Sequence, residues 1–144
     1  MKSKHISNSP NDTVEIAKNF AKNLQGSETI LLQGELGAGK TLFVKSVAKS
    51  LGCNDAVSSP TFTIMQTYSD GKFPLYHFDL YRIKNILELD NIGFFDYIEE
   101  TGIKFIEWPE IILETITKIS HIIITIKKLD KDKREIIIEE NEGE

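Results

Sequence analysis

The stretch that most constrains this chain is Gly34-Glu35-Leu36-Gly37-Ala38-Gly39-Lys40-Thr41. It has the form G-x-x-x-x-G-K-T, in which a glycine-rich turn lets successive main-chain N–H groups face one anion. So short a pattern has to be judged by its flanks. Before it, Thr29-Ile30-Leu31-Leu32-Gln33 is an apolar run with a β-branched start, bounded by Ser27 and Gly34, and reads as a buried strand. After it, Leu42, Val44, Val47, Ala48 and Leu51 recur at helical spacing from Thr41 to Leu51, and Gly52 is a stop signal. Strand, turn and helix follow in the order a phosphate cradle requires, the new helix adding the positive end of its dipole. Glu35, Leu36, Gly37, Ala38 and Gly39 form the cradle. Lys40 is expected to reach the β- and γ-phosphates of a nucleoside triphosphate, and the Thr41 hydroxyl to hold Mg²⁺.

A chain of 144 residues fits one domain, expected to span 1–144, with little room for a second. Its hydrophobic content of 40% and charged content of 27% are ordinary for a soluble globular protein. The formal net charge of −5 argues against a stand-alone nucleic-acid binder, which normally carries a basic face. Met1-Lys2-Ser3-Lys4-His5 leads into polar sequence without a secretory apolar core, and no apolar run approaches the length of a membrane span. Cys53 is the only cysteine, so no internal disulfide can form, and a cytoplasmic location is expected.

Along the chain, Asn8-Ser9-Pro10-Asn11-Asp12 offers a helix cap, and apolar positions from Val14 to Leu24 then follow helical spacing until Gln25-Gly26. Ala56 to Phe62 is a loop of small and hydroxylated residues around Pro60. Thr63 to Tyr68 and Pro74 to Asp79 are β-prone runs around an Asp70-Gly71 turn, a hairpin pattern. Asn85 to Leu89 and Phe94 to Glu99 read as short helices, and Ile103 to Glu107 as a strand. Pro109 suits the first turn of a short helix from Glu110 to Glu114. Ser120 to Lys127 and Arg134 to Glu139 are isoleucine-rich strands expected to pair antiparallel at one side of the sheet. The first residues, His5 among them, read as a loose terminus, and 139–144 as a disordered tail. The expected class is α/β, a P-loop NTPase fold: a mainly parallel central sheet flanked by helices on both faces, with antiparallel hairpin additions.

A phosphate loop needs a metal site and a group to place the nucleophile, and ligands in open α/β sheets lie at the carboxyl ends of the strands. Asp79 and Glu107 each end a strand. Either can hold Mg²⁺ while the other orients a water. Thr61 is a loop hydroxyl in the position of a switch that senses the γ-phosphate and its metal.

The phosphate loop together with Ser59-Pro60-Thr61-Phe62, His77-Phe78-Asp79-Leu80-Tyr81-Arg82 and Ile106-Glu107-Trp108-Pro109-Glu110, in this order, resembles the TsaE (YjeE) family. These are small bacterial ATPases required for the threonylcarbamoyladenosine modification of tRNA. The resemblance runs from about Asp12 to Glu139, and the four motifs together are specific where each alone is weak. It implies that the nucleotide is ATP, that Glu107 joins Thr41 at Mg²⁺, and that Asp79 supports metal or water. It implies as well that Thr61 lies in a switch-like loop and Trp108 beside the nucleotide, and that Thr13 matches a nucleotide-contact position. The implied partners are the threonylcarbamoyl-transferase protein and its paralogous scaffold, of the TsaD and TsaB type. The family resets that complex between turnovers, and tRNA is met only through the partners.

Two rivals remain. For a GTPase, Asp90-Asn91-Ile92-Gly93 matches D-x-x-G, but the residues before it read as helix. Lys127-Lys128-Leu129-Asp130 has lysine where the guanine-reading motif needs asparagine, and the mixed run from Lys127 to Arg134 reads most simply as a solvated turn. For a small-metabolite kinase, the chain has only two arginines, Arg82 and Arg134, and no insertion long enough for a lid. His77 and His121, in or beside strands, fit packing or a local hydrogen bond better than catalysis.

Overall fold

The computed structural model describes residues 1–35, 37–54 and 65–143. Seven strands form one sheet in the order β1-β7-β6-β2-β5-β4-β3. At its centre β6 (His121–Lys128), β2 (Thr29–Gln33), β5 (Ile103–Glu107) and β4 (Leu75–Asp79) run parallel. At one edge β7 (Arg134–Asn141) and β1 (Lys2–Ser7) pair antiparallel, and at the other β3 (Met65–Tyr68) pairs antiparallel with β4. Three pairings are parallel and three antiparallel, so the sheet is mixed where the sequence pointed to a mainly parallel one.

The difference arises at the chain ends. Lys2–Ser7 is too polar to read as a strand, yet it covers the edge of β7 through main-chain pairing, which makes no demand on side-chain polarity. His5 lies in this strand, with Nε2 3.1 Å from the Ser3 hydroxyl, and not in a loose terminus. Glu139, Glu140 and Asn141, expected in a disordered tail, belong to β7 for the same reason: they pair with β6, and the Glu140 N–H donates to the Met1 carbonyl at 2.9 Å.

Helices cover both faces. α1 (Pro10–Ala21) and α2 (Lys40–Ser50) lie on one. Ser9 caps α1 by accepting from the Asp12 N–H at 3.2 Å, and Pro10 occupies the first turn, where its missing donor costs nothing. Ile30 and Leu32 of β2 point into this layer against Ala17, Phe43, Val44 and Val47, all fully buried. Leu31 points the other way, to Phe78, Ile106, Leu89 and Phe94, beneath α3 (Ile86–Asn91) and α4 (Phe94–Glu99). The alternation is that of a strand, and burial on both faces explains why β2 reads as a continuous apolar run. A 3₁₀ turn (Pro109–Ile112) and α5 (Leu113–Ile116) complete this second layer with Ile112 and Ile116. Among the described residues no helix is long and apolar enough to cross a membrane.

Candidate functional site

The parallel pairing brings the carboxyl ends of β6, β2, β5 and β4 to one end of the sheet, and the glycine loop leaves β2 there. Gly34 is required where it stands: a Cβ would lie 2.7 Å from the Ile126 carbonyl oxygen, a main-chain atom of the neighbouring strand. Gly37 (φ 80°) and Gly39 (φ 109°) take left-handed conformations that side chains rarely adopt. Between them, the Ala38 N–H donates to the Glu35 carbonyl at 3.1 Å, while the Glu35 side chain is exposed. Gly39 offers no side chain to cap α2, which therefore begins at Lys40 without a side-chain cap on its first N–H groups. Thr41 follows in the same first turn, half-buried.

Lys40 is buried, at 6% exposure, and its ammonium sets the character of the site. Nζ lies 3.9 Å from Glu107 Oε1 and 3.9 Å from the centroid of the Trp108 ring. The first distance is an ion pair without a hydrogen bond, and Nζ has no hydrogen-bond partner among the described residues. Burial lowers the Lys40 pKa below 10.5, against the opposing pull of Glu107, Asp79 and Glu110. A buried cation with three donors and no acceptor is a costly arrangement in an isolated fold and a natural one opposite an anion.

Glu107 ends β5 and Asp79 ends β4, paired in register, so the two carboxylates stand on adjacent strands at the same edge. Glu107 is buried, and its Oε2 lies 2.6 Å from His77 Nε2, a short contact in which the imidazole donates to the carboxylate. Asp79 Oδ1 accepts from the Tyr81 N–H at 3.0 Å. Trp108, directly after Glu107, has φ 56°, the only non-glycine residue described with a positive value. That turn sets its ring over Lys40, and Tyr81 packs against the same ring at a tilt, with centroids 4.9 Å apart. Strain at such a position is characteristic of sites where geometry is imposed by use.

Thr13 is buried in α1, its hydroxyl 2.7 Å from that of Ser7. Ser7 ends β1 opposite Arg134, which pairs in turn with Lys128 at the end of β6. The start of α1 therefore lies at the same end of the sheet as the glycine loop. Leu36 and Thr61 fall outside the described residues, as does the 59–62 motif. Lys40, Glu107, Asp79 and Trp108 are brought together. Among the described residues no group of three or more His, Cys, Asp or Glu side chains could hold a metal by itself.

The family model described as "Threonylcarbamoyl adenosine biosynthesis protein TsaE" matches residues 7–136, all but the two ends of the chain. The chain belongs to the TsaE family. It is 40% identical over 127 residues to the tRNA threonylcarbamoyladenosine biosynthesis protein TsaE of Bacillus subtilis, covering 88% of this chain and 78% of that one. To the protein of that name from Rickettsia prowazekii it is 42% identical over 131 residues, covering 90% of each. The crystal structure of Bacillus subtilis YdiB superposes with a TM-score of 0.78 at 35% identity, covering 96% of this chain and 84% of that one.

In this TsaE-family chain His77 makes a hydrogen bond, one of the two roles its place in a strand suggested. Its partner was not legible, because only the parallel register of β4 on β5 brings the imidazole to the carboxylate at the strand's end. Replacing His77 with leucine should lower stability by about 2 kcal/mol, the usual cost of leaving a buried charged acceptor without its donor. Urea unfolding measures it. His77→Gln, which can still donate, should recover part of the loss. Equal stability in all three proteins would mean that the contact carries no free energy.

Proposed function

We propose that this TsaE-family chain is a Mg²⁺-dependent ATP hydrolase of the P-loop type, acting as an accessory protein in tRNA threonylcarbamoyladenosine biosynthesis. The observation that carries the reading is Lys40: a buried ammonium without a hydrogen-bond acceptor, at the N-terminus of a helix without a side-chain cap. Phosphate oxygens supply the missing acceptors, and the loop and helix N–H groups supply the rest of an anion site.

The side chains at the strand ends fit Mg²⁺. Thr41, Glu107 and Asp79 offer hard oxygen donors, and their small number suits an ion that keeps waters and shares its shell with substrate phosphates. Thr41 and Glu107 are the proposed ligands. When bound, the ion neutralises charge on the phosphate oxygens. The chain's own contribution is positional. Lys40 holds the β- and γ-phosphates, Asp79 orients the attacking water or supports the metal, and His77 fixes the rotamer of Glu107 through Oε2. Thr61 serves as γ-phosphate sensor in its loop, Thr13 contributes a nucleotide contact from α1, and Trp108 shields Lys40 from solvent. A site this poor in arginine turns over slowly alone.

The partners proposed are the threonylcarbamoyl-transferase protein and its paralogous scaffold, which the hydrolysis cycle resets in the cytoplasm, tRNA being handled by them. ADP release from Mg²⁺-ATP, without a small acceptor, tests this before and after adding the partner pair. Slow basal turnover that changes on addition is the expected result. No change, with phosphate transfer only to a metabolite, would replace the reading with that of a kinase. Preference for GTP over ATP would replace it with a GTPase, although Asp90 of the D-x-x-G match lies inside α3.

A further inference from the structure

We propose that Arg134 is a positioning residue for the glycine loop, a strut from the β6–β7 turn that fixes which way the loop's peptide groups face. The inference rests on the nucleotide reading only for its consequence, not for its geometry.

Arg134 begins β7, immediately after the charged turn at 129–133. Its Nε donates to the Ala38 carbonyl at 3.0 Å and an Nη to the Gly37 carbonyl at 3.4 Å, 96 and 97 residues away in sequence. The other Nη donates to the carbonyls of Asp130, Lys131 and Lys133 at 2.9 to 3.1 Å. All five of these bonds end on main-chain oxygens, and no ion pair to Arg134 is present among the described residues. This is unusual employment for a guanidinium, whose fork ordinarily meets a carboxylate or phosphate. Three bonds lock the side chain to its own turn, and two reach across to the loop.

The consequence follows from the planar trans peptide, in which C=O and N–H point in opposite directions. With the Ala38 carbonyl turned to Arg134, the N–H of Gly39 in the same peptide must face the other way. Gly39 is conformationally permissive, so the loop does not by itself impose that orientation on the Ala38–Gly39 peptide, whereas the Gly37–Ala38 peptide is also held by the Ala38 N–H bond to the Glu35 carbonyl. A carbonyl turned inward would set a negative dipole against a phosphate. Arg134 keeps two carbonyls of the cradle on the outside, and the β6–β7 turn thereby becomes part of the nucleotide site. The turn itself is exposed, in agreement with the expectation of a solvated turn, while the arginine at its end is half-buried.

The test compares amide hydrogen exchange at residues 37–39 and ADP affinity, measured in EDTA, for the full chain and three variants. Arg134→Met should speed exchange at Ala38 and Gly39 while leaving the interiors of β2 and α2 unchanged. It should also weaken ADP binding about tenfold, the size of one lost charge-assisted hydrogen bond. Arg134→Lys should fall between, because an ammonium cannot span the two carbonyls and the turn together. Lys128→Met, which removes the same charge at the position paired with Arg134, should leave both quantities unaltered. Unchanged exchange at 37–39 in Arg134→Met, or faster exchange spread evenly over the chain, would overturn the strut. Loss of ADP affinity in Lys128→Met equal to that in Arg134→Met would overturn it in favour of a bulk-charge effect. If the unmodified chain bound no ADP, the nucleotide reading would fall while the exchange comparison still decided the strut.

Discussion

Lys40→Met should weaken binding of ATP and ADP by at least about a hundredfold, because hydrogen bonds from a cation contribute roughly 1.5–3 kcal/mol each and this ammonium would make more than one. It should do so without unfolding the protein. Burial is the main cause of the lowered Lys40 pKa, and the carboxylates of Glu107, Asp79 and Glu110 only partly offset it. A lysine whose folded pKa lies below its unfolded value costs stability wherever it is charged, that is, below the folded pKa. The cost fades as pH rises through that value and has gone above 10.5. At neutral pH the methionine variant recovers that desolvation cost but leaves the buried Glu107 carboxylate without its cation, so the two effects oppose and its stability should change by no more than about 1–2 kcal/mol. Phosphate favours the ammonium and raises its pKa, so binding takes up a proton as pH rises through the free-protein value. Affinity of the unmodified chain should fall over that interval, whereas the variant should show no such slope. Isothermal titration calorimetry at a series of pH values, beside thermal unfolding, measures all three effects. Retained affinity would sink the assignment of Lys40. Affinity lost together with the fold would show that the residue is structural.

The local part of this site was legible before the fold was known. G-x-x-x-x-G-K-T works through neighbours in sequence, so the loop, its strand and its helix could be read from one window, and Glu107 and Asp79 could be placed at strand ends. What could not be read depends on pairing over long separations. His77 meets Glu107 across 30 positions, and Arg134 meets the loop across 96, both through sheet register that a single strand's pattern does not encode. The missed first strand has another cause. Lys2–Ser7 contributes main-chain bonds and little apolar surface, so hydrophobic periodicity had nothing to detect. Glu139 to Asn141 escaped for the same reason at the other end of the chain. Helices on both faces were expected from the fold class, and β2 agrees with them, being apolar at consecutive positions and not at alternate ones.

Glu107→Ala should have the largest effect on the fold, at about 3–5 kcal/mol, because it strips the carboxylate from between a buried imidazole and a buried ammonium. Glu107→Gln separates the two roles of this side chain. Its amide oxygen can still accept from His77 Nε2, so stability should fall by only about 1–2 kcal/mol. It carries no charge for a metal ion or for Lys40, so ADP release should drop by about a hundredfold or more. Urea unfolding and steady-state ADP release, measured on both variants, read the two roles independently. A glutamine variant with unmodified turnover would leave Glu107 a structural partner of His77 and Lys40 and would move the metal to Asp79. Physical economy favours the other outcome. A buried ion pair seldom adds stability over well-packed apolar residues, because desolvation cancels much of its attraction. Apolar side chains at 40, 77 and 107 would fill the same interior at lower cost. A buried carboxylate wired to His77 and facing Lys40, at the edge where the strands end, is best explained by what it binds.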